Sequence, residues 1–335
     1  MSNLNKLKTI GLLSLFAIIT ACSSDSNPPA SSGSAPASYA GANTEASVDS
    51  TNGEKLAESM MDGSSGSKAA GNITGGDTED KEQLVGVIRH IRDAIEGVDT
   101  SNPTFTGSDF AEVISVPAST ETSPCGGTMS TSYTVDTVSG QYSMTMTFSN
   151  FIYCTDKSKM NGSMSVTGGF DPSTYKPLTM KATFTALTYT DASESMTMTG
   201  TMDMETLSTV SYRATMNLDM RDNNANETYR LVNYITTVTE DAATNPTKAD
   251  MTISGKFYHP TYGFITVNTT TALHFVYPDL NPTTGVVVLT GAGGSKATMT
   301  MLTKDTYKLE VDTNGDSTID VTKNCTWSTS TCTAI

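Results

Sequence analysis

From Tyr142 onward the apolar residues of this chain fall on every second position, and that period of two is the strongest constraint on what it can become. Tyr142, Met144, Met146 and Phe148 alternate with Ser143, Thr145 and Thr147, and Leu178, Met180, Ala182 and Phe184 alternate with Thr179, Lys181 and Thr183. The rhythm returns at residues 196–204, 210–220, 251–257, 265–275, 299–301 and 307–311. Successive side chains of an extended chain point to opposite faces, so the pattern buries one face and leaves a Thr- and Ser-rich face in water. Short turns separate the runs, at Ser139-Gly140, Asp222-Asn223-Asn224, Gly291 to Gly294 and Asn314-Gly315. Without helical patterns between the runs, sequence neighbours should pair as an antiparallel meander. The expectation is a mainly all-β chain. Residues 109–335 form a large antiparallel domain of roughly a dozen strands, curled into a barrel-like or clam-shaped sheet to bury its apolar side.

Ahead of this domain the composition changes twice. Residues 79–98 read as one N-terminal amphipathic helix: Asp80 can cap it, Leu84, Val85, Ile88, Ile91 and Ile95 recur on one side, and Gly97 suits the stop. Residues 22–78 are rich in Ser, Gly and Ala and read as a flexible tether, with Glu54 to Met61 long enough for two helical turns. Residues 1–21 carry Lys6 and Lys8 and then an apolar run from Ile10 to Ile19, the n- and h-regions of a signal peptide. The run ends in Ile19-Thr20-Ala21-Cys22, which resembles the lipobox of bacterial lipoproteins, with Ile19 where Leu is usual. The resemblance implies cleavage before Cys22 and attachment of lipid to its thiol. In that family's pattern Ser23, not being Asp, implies an outer-membrane destination. Each buried methylene contributes about 0.8 kcal/mol, so an acylated Cys22 would be a stable membrane anchor.

The formal net charge is -15, and loss of Lys6 and Lys8 with the leader makes the mature chain two units more negative. Such a surface repels phosphates, which argues against nucleic acid as a partner and favours cations. Beyond Cys22 there are four cysteines, Cys125, Cys154, Cys325 and Cys332. An even number in an exported chain reads as two disulfides, and the local pairs Cys125 with Cys154 and Cys325 with Cys332 are the expected ones.

The motif richest in ligand atoms runs from Asp312 to Asp320. Asp312, Asn314 and Asp316 at alternate positions resemble the front half of an EF-hand-type calcium loop, and Asp320 adds a fourth oxygen donor. Ser317 stands in place of the expected Gly and Lys323 in place of the bidentate Glu, so a weak structural calcium site competes with a plain polar turn. The 18 methionines form same-face pairs such as Met144 with Met146 and Met196 with Met198. Such pairs suit a Cu(I) site, an adaptable core or a pocket for an apolar ligand.

Catalytic signals are weak. The histidines are His90, His259 and His274, and no serine sits in a Gly-x-Ser-x-Gly elbow. The segment Gly255 to Gly263 is dense in aromatics that could cap the sheet core or stack on sugars. The outward pairs Thr145 with Thr147 and Thr197 with Thr199 could present hydroxyls to a glycan. The expected function is therefore a non-catalytic cell-envelope lipoprotein with a binding or scaffold role, sheltering an apolar ligand or meeting a glycan. The alternatives are a membrane-inserted β-barrel, a surface adhesin, a Cu(I)-binding protein or a hydrolase.

Overall fold

The computed structural model describes residues 38–61, 113–136, 138–154, 157–171, 177–192, 195–242, 246–277, 279, 281–327 and 331–335. They form one sheet of fifteen antiparallel strands: β1 (Val113–Thr122), β2 (Thr128–Asp136), β3 (Gln141–Ile152), β4 (Lys159–Phe170), β5 (Pro177–Thr190), β6 (Ser195–Ser208), β7 (Ser211–Asp222), β8 (Glu227–Glu240), β9 (Lys248–His259), β10 (Gly263–Val276), β11 (Thr284–Thr290), β12 (Lys296–Thr303), β13 (Thr306–Asp312), β14 (Val321–Thr326) and β15 (Thr331–Ala334). Spatial order equals sequence order from β1 to β15, so the meander is as the turns require. The barrel-like part of the expectation is not met, because β1 and β15 stay unpaired at opposite edges and the sheet is neither closed nor strongly curled. Both edges carry features that discourage further pairing. Pro117 and a register shift interrupt β1, while β15 is four residues long and tied to β14 by Cys325–Cys332.

One face of the sheet is dry. Met146, Met160, Met198, Met216, Phe257, Val287, Met299 and Leu309 are all fully buried and belong to a single apolar cluster. What keeps this face dry along strands of 12–14 residues is a line of bulges. On β3 the inward residues are Met144, Met146 and Phe148, and then Phe151; on β8 they are Leu231 and then Tyr234. Each interval of three coincides with a register shift, between Phe148 and Phe151 and between Val232 and Ile235. β5 does the same between Phe184 and Leu187. An extra residue would turn the following side chains to the wrong face unless the pattern also slipped by one, and it does. Asn150 and Asn233 occupy the left-handed region at these bulges, with φ of 50° and 45°. Asn tolerates that conformation better than most residues. Their N–H groups donate to Oδ1 of Asn161 and Asn217 on the neighbouring strands, both at 2.8 Å. Backbone donors displaced from the ladder are thereby satisfied.

Residues 38–61, which composition assigns to the tether, are docked on the sheet. Thr44 and Ala46 exchange backbone hydrogen bonds with Phe264, and the Val48 N–H donates to Ser295 Oγ at 2.9 Å. The chain then turns at Asp49, whose carboxylate accepts the Thr51 and Asn52 N–H groups, and enters a helix over residues 53–61, α1. Leu56, Ala57, Met60 and Met61 of α1 join the apolar cluster, the physical reason this part of the low-complexity segment is ordered. Tyr234 on β8 donates to the Met60 carbonyl, Tyr307 on β13 reaches Glu58, and Lys323 on β14 pairs with Glu54 at 3.2 Å. The helix expected over residues 79–98 lies outside the described residues.

Gly200 on β6 has φ of 131°, and a Cβ there would lie 2.1 Å from the Asn217 carbonyl oxygen. Replacing Gly200 with Ala should lower unfolding free energy by about 2–4 kcal/mol, from strain and a backbone clash that cannot relax without moving β7. Urea unfolding of the two proteins measures this.

Candidate functional sites

The Asp312–Asp320 loop is closed upon itself. Asp312 accepts the N–H groups of Gly315 and Ser317 at 2.8 and 2.9 Å, Asn314 accepts that of Asp316, and Asp316 accepts that of Thr318. Asp320 accepts both the N–H and the hydroxyl of Thr313. These hydrogen bonds hold Asp316 and Asp320 below the usual carboxylate range. Among the described residues no three His, Cys, Asp or Glu side chains converge in a way that could hold a metal ion. The loop's acids act as turn formers joining β13 to β14.

The methionine pairs face the dry side. Met146, Met198, Met216 and Met299 are fully buried, and Met202 and Met301 are almost so, which is the role of Met as an adaptable core filler. Both expected disulfides are present, Cys125–Cys154 and Cys325–Cys332. The lipidation candidate, Cys22, lies outside the described residues.

The aromatic stretch around the β9–β10 turn is a dock for the N-terminal segment. Tyr39 packs edge-on against Tyr258 and under the Arg230 guanidinium, and its hydroxyl donates to the His259 carbonyl at 3.0 Å. Arg230 in turn grips Asp219, which also accepts the Tyr39 N–H. The His259 ring is buried between Tyr229 and Tyr262, and Nδ1 accepts the Thr261 N–H at 3.1 Å, so it is the unprotonated nitrogen. Burial pushes the imidazole pKa below its ordinary value. The other described histidine, His274, is half-exposed and pairs with Asp250 at 2.7 Å on the outer face.

The outer face carries an open trough of about 500 Å³, lined by residues of β3 to β8 including Gln141, Lys181, Asp203, Glu205 and Arg213. Strand register builds it. Thr167, Lys181, Asp203, Thr215 and Ile235 stand in one row across five strands, and Thr179, Glu205 and Arg213 stand in the next. Lys181 pairs with Asp203, and Arg213 with Glu205. Exposed pairs of this kind contribute about 0–1 kcal/mol. Beside the trough runs a row of hydroxyls, Ser132, Thr145, Ser165, Thr183 and Thr201, on adjacent strands about 4.8 Å apart. Of the two threonine pairs singled out in the sequence, Thr145 stands in this row. The sequence misleads at Thr197, which is buried in a hydrogen-bond network with Thr188 and Asn223. The ion pairs are legible only once the register is known.

Because the folded-state pKa of His259 lies below its unfolded value near 6.5, its contribution to stability is complete above about pH 6.5 and is lost as pH falls through the folded value. His259→Asn keeps an acceptor for the Thr261 N–H without a titrating ring. Thermal melts from pH 8 to pH 5 should show a fall in melting temperature below pH 6.5 for the parent protein and a smaller one for the variant.

Compared with known proteins, the chain matches no family model, no curated sequence and no solved structure.

Proposed function

We propose that this chain is an exported, lipid-anchored, non-catalytic binding protein that presents the polar face of its sheet to a neutral glycan of the cell envelope. The observation that carries this reading is the outer trough with its adjoining hydroxyl row. Sugar hydroxyls need paired donors and acceptors on one surface, and Gln141, Lys181, Asp203, Glu205 and Arg213 supply both. The net charge of -15 disfavours polyanionic partners. The Met-rich side is occupied by its own packing, which weighs against an apolar ligand as the main cargo. The apolar face, which a barrel would turn to lipid, is covered in part by α1, which weighs against membrane insertion.

In this reading the open sheet is a shallow clam whose dry side cups α1. Tyr234 and Tyr307, five strands apart, reaching the same helix support that curvature. Export is supported by the two disulfides, since such bonds persist in oxidising compartments. Anchoring rests on the Ile19-Thr20-Ala21-Cys22 sequence.

Expressed in a lipoprotein-processing bacterium, the protein should incorporate labelled fatty acid and sediment with membranes, and Cys22→Ala should lose both properties. Sedimentation of the purified domain with insoluble, uncharged envelope polysaccharides should show saturable binding. Lys181→Ala combined with Arg213→Ala should weaken it at least tenfold, about 1.4 kcal/mol, with the melting temperature nearly unchanged. Absence of binding by the parent protein, or equal binding by the variant, overturns the glycan reading.

A further inference from the structure

The docked segment ahead of α1 crosses the end of the sheet at the β9–β10 turn, and two carbonyls of that turn hold it. The Tyr39 hydroxyl donates to the His259 carbonyl at 3.0 Å, and the Ala42 N–H donates to the Pro260 carbonyl at 2.9 Å. The fit is close, since a Cβ on Gly41 would lie 2.6 Å from Pro260 Cα. Just beyond the turn, Phe264 exchanges backbone hydrogen bonds with Thr44 and Ala46. The turn is closed from within by the Thr261 N–H, which donates to His259 Nδ1 at 3.1 Å. One imidazole lone pair thus fixes the geometry of the carbonyls that hold the segment.

A proton arriving on the neutral ring must take Nδ1, the nitrogen that carries the lone pair. It then faces the Thr261 N–H, and a hydrogen bond is replaced by two opposed donors. The ring has no easy way to turn into water: His259 is 4% exposed, with the Tyr229 and Tyr262 rings 5.4 and 4.6 Å from it between centroids. Those tyrosines are the titratable groups packed on the ring, and two charges act on it from further off. Glu227, at the start of β8, favours the imidazolium while accepting the Tyr229 hydroxyl at 2.8 Å. Lys55 belongs to α1, the continuation of the docked segment, and opposes the imidazolium. Burial outweighs Glu227 and keeps the ring neutral below its ordinary titration range.

We propose that protonation of His259 releases residues 39–46 from the β9–β10 turn, which makes this contact a pH-sensitive clasp between the docked segment and the sheet. The sign follows from the two states. The docked ring resists a proton and the released ring titrates near 6.5, so docking is complete above about pH 6.5 and weakens as pH falls toward the docked value, about tenfold per pH unit across that window. α1 is held separately, by burial of Leu56 and Met60, so release is confined to the segment ahead of it. The clasp stands independently of the glycan reading.

Hydrogen exchange of the whole folded protein, read by mass spectrometry from pH 8 to pH 5 and corrected for the intrinsic pH dependence of exchange, tests this. Protection of residues 39–46 should fall at least about fivefold between pH 7.5 and pH 5, while β3 to β6 keep theirs. His259→Asn keeps an acceptor for the Thr261 N–H and does not titrate, so its profile should stay flat. Glu227→Gln removes the charge that favours the imidazolium and should move the transition to lower pH. If circular dichroism shows that His259→Asn does not fold, the parent profile and Glu227→Gln still decide. The proposal is overturned by protection that does not change with pH, by an equal fall in folded His259→Asn, by an unmoved Glu227→Gln transition, or by a fall shared with β3 to β6.

Discussion

A single dry face shared by fifteen strands is the constraint from which the rest of this structure follows. In an open meander each strand is placed only by its two neighbours, so the inward phase must be handed from strand to strand without error. The chain meets this by filling the inward positions with methionine, which adapts to irregular gaps, and by letting the apolar pattern slip wherever a bulge inserts a residue. Asn150, Ala186 and Asn233 are those slips, and Gly162, Gly200 and Gly255 are the backbones that let the neighbouring carbonyls approach. Were the bulges absent, Phe151, Leu187 and Tyr234 would face water.

Much of this was legible in the sequence. Alternation from Tyr142 to Phe148 and from Ile265 to Phe275 places β3 and β10, and the turns at Gly140, Asn224 and Gly315 impose the meander. The strand pattern ends early at Phe148 and Phe184 because a strict period of two breaks at a bulge, and the continuation through Phe151 and Leu187 is out of phase with it. β1 and β15 are hard to read for a different reason. They are edge strands, and an edge need not bury a regular face to be held by its neighbour. The docking of residues 38–61 depends on a few apolar residues, Val48, Leu56 and Met60, in a segment whose overall composition resembles a linker. Closure into a barrel does not follow from alternation at all, since an open sheet satisfies the same pattern when a helix covers part of its dry side.

The polar chemistry divides along the same line. Carboxylates in turns, Asp49, Asp136, Asp241, Asp316 and Asp320, are held below their usual range by hydroxyls and N–H groups beside them, so they act as local structure. The calcium-like spacing at Asp312 illustrates the ambiguity, because the alternating oxygens that could converge on a cation are also those that close a tight turn. Ion pairs on the outer face are set by register across strands, so they cannot be found by reading along the chain. The polar face is thus the one left over once the methionines have claimed the other.

The most direct test of that division is oxidation of native methionines by hydrogen peroxide, followed residue by residue by mass spectrometry. A closed core predicts that Met146, Met198, Met216 and Met299 react only through opening of the fold, far more slowly than in the unfolded chain, while the partly buried Met129 and Met180 react first. Equal rates for Met146, Met198 and Met129 would show that the methionine face is open to solvent and would contradict the account.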